Sequence, residues 1–200
     1  MGSINAPFGL RVTGRHDNGS LEVFRQYPIA SGYNTNIAAG DVVQWVDGGT
    51  STTIEKQTAT GDTSADIDML GVFVGCSYTD PSTGQLWFSN MWPAGTAASD
   101  AMAFVVDDPR ALYVVQASTS ITNANDIYGK NAAFVQTSPN TTFKISRVSL
   151  DVSTLGTDAN LPLRVVDYLG GARGNEPGTS YPLLVVKLNY TQMTSTTGAS

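Results

Sequence analysis

Very few side chains in this sequence could carry out acid–base, nucleophilic or metal chemistry. The chain has one histidine, His16, in a charged stretch near the N-terminus, and one cysteine, Cys76, directly after an apolar segment. A histidine in such a stretch is typically solvated, and a cysteine after an apolar strand is typically a buried, inert thiol. Because zinc and other soft-metal sites are built mainly from His and Cys ligands, we expect no such site.

Carboxylates are the remaining candidates for chemistry. Asp62, Asp66 and Asp68 are closely spaced, but the glycine and distal glutamate of a calcium-binding EF-hand loop do not follow them. The Asp107-Asp108-Pro109 segment is explained by turn formation. A glycosidase needs two carboxylates across a cleft, and no pair stands out. Nucleophile-elbow and phosphate-binding glycine motifs are absent from the sequence. We therefore predict a protein that is not an enzyme and needs no cofactor, with a carboxylate enzyme as a minor alternative.

Aromatic residues are more informative than the titratable ones. Trp87, Phe88 and Trp92 lie within six positions of one another. Such a cluster can pack in a core, form a subunit interface, where aromatics are enriched, or stack against a sugar. The stretch offers only Gln85 and Asn90 as polar partners for a sugar, which weakens the third alternative. We predict Trp87, Phe88 and Trp92 as candidates for a subunit interface.

Composition and charge exclude several classes of partner. The net charge is −6, and the basic residues form no cluster, so the surface would repel a phosphate backbone. No apolar run approaches the roughly 18 residues needed to cross a membrane. The N-terminus lacks a basic region followed by an apolar stretch, which predicts no secretory signal. A single cysteine fits folding in a reducing compartment.

The fold class follows from the same composition. Only three glutamates occur, whereas threonine and aromatics are frequent and 20 Gly and 9 Pro interrupt the chain. We predict an all-β protein, a β-sandwich or β-barrel of about nine to eleven short strands, with an extended N-terminal arm and at most one short helix. The helix would lie within residues 122–130, where Asn and Asp favour a single turn.

The predicted organisation is an arm over residues 1–20, a β-rich domain over residues 21–190 and a polar tail over residues 191–200. Residues 85–92 are predicted as one aromatic strand, and residues 101–106 and 112–116 as a hairpin with its turn at Asp107 to Arg110. Residues 183–188 are apolar on both faces, which predicts a central strand.

Several segments together resemble one family of proteins. They are Asn5-Ala6-Pro7-Phe8-Gly9-Leu10-Arg11, Tyr27-Pro28-Ile29-Ala30-Ser31-Gly32-Tyr33, Gly40-Asp41-Val42-Val43, Gly71-Val72-Phe73-Val74-Gly75-Cys76-Ser77-Tyr78-Thr79-Asp80-Pro81, Trp92-Pro93-Ala94-Gly95-Thr96, Val105-Val106-Asp107-Asp108-Pro109 and Leu161-Pro162-Leu163-Arg164-Val165. In order and content they resemble virion structural proteins of tailed bacteriophages, particularly those of cyanobacteria and other aquatic bacteria, which act as capsid decoration, or cement, proteins. The resemblance covers nearly the whole chain and rests on turns and strands, so it identifies no active site.

The resemblance implies a β-rich protein that is made in the host cytoplasm and lies on the outer capsid surface of the virion. Its implied partners are the major capsid protein and further copies of itself in a homotrimer, with no nucleic acid and no membrane. Under this hypothesis, the capsid-contact candidates belong to the N-terminal arm: Asn5, Pro7, Phe8, Leu10 and Arg11. The equally weighted alternative is that the arm folds along its own domain as an edge strand.

A second hypothesis assigns the chain to a different functional class. It would be a tail-associated or surface module of a phage that binds glycans or a host receptor. That hypothesis predicts exposed aromatics beside amide side chains. Co-sedimentation with expanded, undecorated capsids distinguishes the two hypotheses, because only a cement protein binds them stoichiometrically.

Overall fold

The computed structural model describes residues 4–17, 19–20, 24–46, 52–61, 69–123, 127–169 and 178–194. These residues form 14 strands and no helix, which confirms the all-β prediction. The strands are β1 (Arg11–Arg15), β2 (Arg25–Pro28), β3 (Ile37–Ala38), β4 (Val42–Trp45), β5 (Ile54–Lys56), β6 (Gly71–Thr79), β7 (Leu86–Ser89), β8 (Met91–Trp92), β9 (Met102–Val106), β10 (Ala111–Gln116), β11 (Asn131–Val135), β12 (Ser149–Gly156), β13 (Leu163–Tyr168) and β14 (Leu183–Leu188). The number exceeds the predicted one because pairs as short as β3 and β8 leave no periodic pattern.

Two six-stranded antiparallel sheets make up the architecture. Sheet 1 has the order β1-β10-β14-β13-β11-β12, and β14 is central, as its apolar sequence predicts. Sheet 2 has the order β2-β9-β6-β4-β5, with β7 paired to β6. The strands β3 and β8 form a small separate pair. Both large sheets remain open within the described residues, so the arrangement resembles a β-sandwich.

Two hydrophobic clusters hold the sheets in place. The first joins Val72 and Val106 of sheet 2 to Leu150, Leu163 and Val186 of sheet 1. The second lies against the other face of sheet 2, and its largest members are Phe73, Trp92, Ile37 and Ile54. Sheet 2 is therefore packed on both faces along part of its length, which fixes its orientation relative to sheet 1.

A buried polar junction connects the N-terminal segment to both sheets. The carboxylate of Asp41, fully buried, accepts hydrogen bonds from the Ala38 amide at 2.8 Å, from Lys56 Nζ at 3.0 Å and from Ser146 Oγ at 2.6 Å. The Leu10 amide donates to the Gly40 carbonyl at 2.9 Å. A buried charge is tolerated when it is paired and hydrogen-bonded, as it is here.

The predicted hairpin over residues 101–116 is wrong. β9 pairs with β2 and β6 in sheet 2, whereas β10 pairs with β1 and β14 in sheet 1. The turn itself forms one residue later than predicted, over residues 108–111, because the Ala111 amide donates to the Asp108 carbonyl at 3.0 Å. The Asp107 carboxylate, however, is buried and bound by Tyr27 and Arg25, so the chain leaves sheet 2 at this point and crosses to sheet 1.

Several other predictions concern segments that are only partly described. Residues 127–129 form a turn in which the Lys130 amide donates to Ile127, in line with a single turn rather than a helix. Residues 124–126, most of the polar tail, and the candidate calcium ligands Asp62, Asp66 and Asp68 lie outside the described residues.

Candidate interaction surface

One face of sheet 2 carries aromatic and aliphatic side chains that the rest of the described chain leaves uncovered. We call it the aromatic face and define it by Phe24, Leu86, Phe88 and Phe104. Phe24 is 44% exposed, Leu86 61% and Phe88 70%. The Phe104 ring lies 4.9 Å from that of Phe24 and 6.4 Å from that of Phe88, the latter pair stacked at an interplanar angle of 12°. The rings therefore form one continuous surface from Phe24, just before β2, across β9 to β7.

Strand geometry explains why these rings meet. Alternate residues of a strand share a face, so Leu86 and Phe88 of β7 point the same way. Gly75 of β6 is paired with Phe104 of β9, and a Cβ atom at Gly75 would lie 3.6 Å from the Phe104 ring and 3.1 Å from the Ser89 carbonyl oxygen. The distance to the Phe104 ring is an ordinary contact, so the tight approach at Gly75 is to the backbone of Ser89 at the end of β7.

The rim of the aromatic face is polar. Asp100 accepts hydrogen bonds from the Thr79 hydroxyl at 2.6 Å and from the Thr79 amide at 3.1 Å, and Thr79 is the register partner of Leu86. These hydrogen bonds lower the pKa of the Asp100 carboxyl, so it is anionic at neutral pH. An apolar centre with a polar rim is the usual composition of a protein–protein interface.

The hairpin of β6 and β7 exposes aromatic surface on its other face as well. Trp87 alternates with Phe88 and is paired with Tyr78, and it is 43% exposed. Within the described residues, β7 pairs with β6 alone, so it is an edge strand. Edge strands with apolar side chains are prone to associate with another chain.

Trp92, the third predicted interface residue, lies in the core instead. It is completely buried, its ring meets that of Tyr78 edge-on at 5.5 Å, and its Nε1 donates to the Tyr33 carbonyl at 3.1 Å. The chain changes partner at Asn90, because the Ala39 amide donates to the Asn90 carbonyl at 2.8 Å and β8 pairs with β3 rather than β6. Sequence spacing groups Trp92 with Phe88, but this break separates them.

The N-terminal segment lies along sheet 1. Arg11 begins β1, which pairs with β10 at the edge of the sheet, so the edge-strand alternative describes residues 11–15. Leu10 is buried in the first cluster and is a core residue, not a contact residue. Asn5 is exposed, Pro7 and Phe8 are half-buried, and the Arg11 guanidinium lies 4.9 Å from the centre of the Phe8 ring. Four of the five capsid-contact candidates are therefore at least partly accessible.

Gln116 holds the first described residues of this segment against sheet 1. Its Oε1 accepts from the Ala6 amide at 2.9 Å, and its Nε2 donates to the Ile4 carbonyl at 3.0 Å. We expect Gln116→Ala to release residues 4–6 and to accelerate hydrogen exchange at the Ala6 amide by about 30-fold, since two hydrogen bonds worth about 1 kcal/mol each are lost. Hydrogen-exchange mass spectrometry measures this, with the exposed Gln85→Ala as control. Unchanged exchange at Ala6 would contradict the contact.

Cys76 is buried as predicted, and burial raises the pKa of its thiol to about 12. Among the described residues, no group of three or more His, Cys, Asp and Glu side chains could hold a metal ion. In the same part of the chain, no helix has the length and apolarity to span a membrane.

Comparisons with protein-family models, with curated proteins and with solved structures each found no match to this chain. Among the described residues, the aromatic face and the N-terminal segment both expose apolar side chains.

Proposed function

We propose that this chain is a capsid decoration protein, which binds the outer surface of a bacteriophage head and stabilises it by protein–protein contacts. The resemblance of its segments to virion proteins of tailed phages supports the proposal over nearly the whole sequence. The structural observation that carries it is the aromatic face. A contiguous exposed apolar surface with a polar rim is typical of a protein–protein interaction site.

The aromatic face and the β6–β7 hairpin would form the contacts between copies in a homotrimer. Phe88 and Leu86 on one face of β7 and Trp87 on the other allow the hairpin to pack between two neighbouring surfaces. The aromatic-face residues are all uncharged, which suits self-association of a chain with a net charge of −6, because no like charges would meet at its centre.

The N-terminal segment would contact the major capsid protein. Phe8 would supply an apolar anchor, Arg11 would pair with capsid carboxylates, and Asn5 and Pro7 would flank them. Many copies on one head sum weak individual contacts into stable reinforcement. The protein would be made in the host cytoplasm, act on the outer capsid surface and need no cofactor, nucleic acid or membrane.

Co-sedimentation with expanded, undecorated heads of the phage that encodes the chain tests the proposal. The wild-type chain is expected to pellet stoichiometrically with the heads. The double variant Leu86→Ser/Phe88→Ser removes central apolar anchors of the trimer contacts, which costs about 2 kcal/mol or more. Because a monomer binds without the avidity of three linked copies, head binding should weaken by about 30-fold or more. Light scattering of the same samples should show a trimer for the wild type and a monomer for the variant.

Tyr128→Ser is the matched control, because Tyr128 is 50% exposed but lies beside sheet 1, in the turn whose Gly129 amide donates to Val165. It should leave both the trimer and head binding unchanged. A wild-type chain that fails to pellet with heads but binds whole host cells would refute the decoration role and support a receptor-binding module. Equal loss of binding in Tyr128→Ser would refute the role of the aromatic face.

A further inference from the structure

A polar cleft lies apart from the aromatic face and shares no residue with it. The cleft has a volume of about 460 Å³, within the range of roughly 300–1,000 Å³ that is usual for ligand pockets. Its walls come from four separate parts of the chain: residues 34–36, residues 56 and 58, residue 94, and residues 136–139 with 141. Neither the proposed trimer contacts nor the N-terminal segment use it.

The lining consists mainly of groups that both donate and accept hydrogen bonds. Of eleven lining residues, three carry amides and five carry hydroxyls: Asn34, Asn36, Gln136, Thr35, Thr58, Thr137, Ser138 and Thr141. Pro139 and Ala94 supply the apolar part of the wall. Amides and hydroxyls arranged around a small apolar contact are the groups that bind a ligand rich in hydroxyls.

Hydrogen bonds within the chain fix the walls in position. Asn36 Oδ1 accepts from the Ala94 amide at 2.8 Å, which joins two walls and leaves the Asn36 Nδ2 group as a donor. Gln136 Nε2 donates to the carbonyls of Gln57 at 3.1 Å and Ala59 at 3.3 Å. The Lys56 amide donates to the Tyr33 hydroxyl at 3.0 Å. A ligand would therefore meet a largely preformed site, with little ordering cost on binding.

Several side chains in the lining have unused hydrogen-bonding capacity. Asn34, Thr58, Thr137 and Ser138 are exposed. Within the described part of the chain, the side chains of Asn34 and Thr137 form no hydrogen bond. These groups can bind a ligand without breaking a contact that stabilises the fold.

The cleft offers no net charge to a ligand. Lys56 is the charged residue among those that line it, it is 8% exposed, and its ammonium is paired with the buried carboxylate of Asp41 at 3.0 Å. The described lining contains no carboxylate. An anion would find its countercharge already neutralised, and an apolar ligand would desolvate the amides without replacing their hydrogen bonds.

We propose that this cleft binds a neutral saccharide. The hydroxyls of a sugar both donate and accept, as do the amides and hydroxyls of the walls, and its ring carbons match Pro139 and Ala94. The chain would thus carry a carbohydrate site in addition to its proposed contacts on the phage head. The proposal stands independently of the decoration role, because the two use different residues.

The test is saturation-transfer-difference NMR on the purified full chain with methyl glycosides of glucose, galactose, mannose and N-acetylglucosamine, and with glucuronic acid as a charged analogue. At least one neutral glycoside should bind with a dissociation constant of about 1 mM, as expected for a ligand of this size. Asn34→Ala/Thr137→Ala should weaken that binding by about tenfold, since two hydrogen bonds are removed.

Gln85→Ala, an exposed amide on the β6–β7 turn, is the matched control and should bind the glycoside as the wild type does. Capsid co-sedimentation of the Asn34→Ala/Thr137→Ala variant should remain at the wild-type level, which separates this site from the decoration role. The proposal is overturned if no neutral glycoside binds at about 10 mM. Glucuronic acid binding more tightly than glucose, or binding that is equal in the double variant and the wild type, would overturn it as well.

Discussion

Replacing Asp41 with asparagine is expected to lower the free energy of unfolding by about 3–5 kcal/mol, the usual cost of breaking a buried ion pair by removing one partner. Asp41 is fully buried, and its carboxylate receives the Lys56 ammonium, the Ser146 hydroxyl and the Ala38 amide. Asparagine keeps the shape but leaves the Lys56 ammonium, which is 8% exposed, without its countercharge. Urea denaturation followed by tryptophan fluorescence measures the loss.

The double variant Asp41→Asn/Lys56→Met separates the uncompensated charge from the lost hydrogen bonds. With both charges removed, we expect recovery of at least half of the stability lost in Asp41→Asn. Ser146→Ala should cost about 2–4 kcal/mol, since it removes the hydrogen bond to the Asp41 carboxylate and the one that Ser146 Oγ accepts from the Val148 amide at 3.1 Å. A double variant no more stable than Asp41→Asn would show that hydrogen bonding, and not charge pairing, makes Asp41 important.

The sequence predicts the fold class more reliably than it predicts which strands pair with one another. Residues 183–188 are apolar on both faces, and β14 is indeed central in sheet 1. The residues Asp107 to Arg110 indicate a turn equally clearly. That turn, however, connects strands of two different sheets rather than two adjacent strands of one sheet. The same turn serves either connection, and the outcome depends on long-range contacts, such as those of Asp107 with Tyr27 and Arg25 and the pairing of β10 with β1 and β14.

The candidate surfaces also depend on strand pairing that the local sequence does not predict. The clustering of aromatics in residues 85–92 predicts Trp87, Phe88 and Trp92 alike as interface residues. Trp87 and Phe88 are exposed, but Trp92 is buried. Had the segment been one continuous strand, Phe88 and Trp92 would share a face, but the change of partner at Asn90 breaks the alternation.

No motif or pattern in the sequence predicts the polar cleft. Asn36, Lys56 and Gln136 lie far apart in the chain, and each belongs to an ordinary polar segment. The partners of Asp41 are similarly distant, since Ser146 follows it by 105 positions. Sites assembled from separate loops depend on how the sheets pack, and short-range periodicity carries no information about that packing.

Gly9→Ala is expected to destabilise the chain by about 3 kcal/mol, through a strained backbone and a direct overlap acting together. Gly9 has a φ of +75°, which an L side chain adopts only with strain. An added Cβ atom would also lie 2.5 Å from the Gly40 carbonyl oxygen and 2.5 Å from Ser146 Cβ. Because Gly9 has no side chain, the N-terminal segment can lie close enough to hydrogen-bond with two neighbouring segments. The Gly9 amide donates to the Val148 carbonyl at 3.1 Å, and the Leu10 amide donates to the Gly40 carbonyl.

Gly32→Ala isolates the backbone contribution, because Gly32 has a nearly identical φ of +77° and nothing within 4 Å of an added Cβ atom. That variant should lose only about 1 kcal/mol. The difference between the two variants therefore measures how tightly the N-terminal segment packs on the junction beside Asp41. If urea denaturation gave the same loss for both glycines, the segment would be less closely docked than the distances imply. Residues 5–8 would then not be held in a defined position for contact with a capsid.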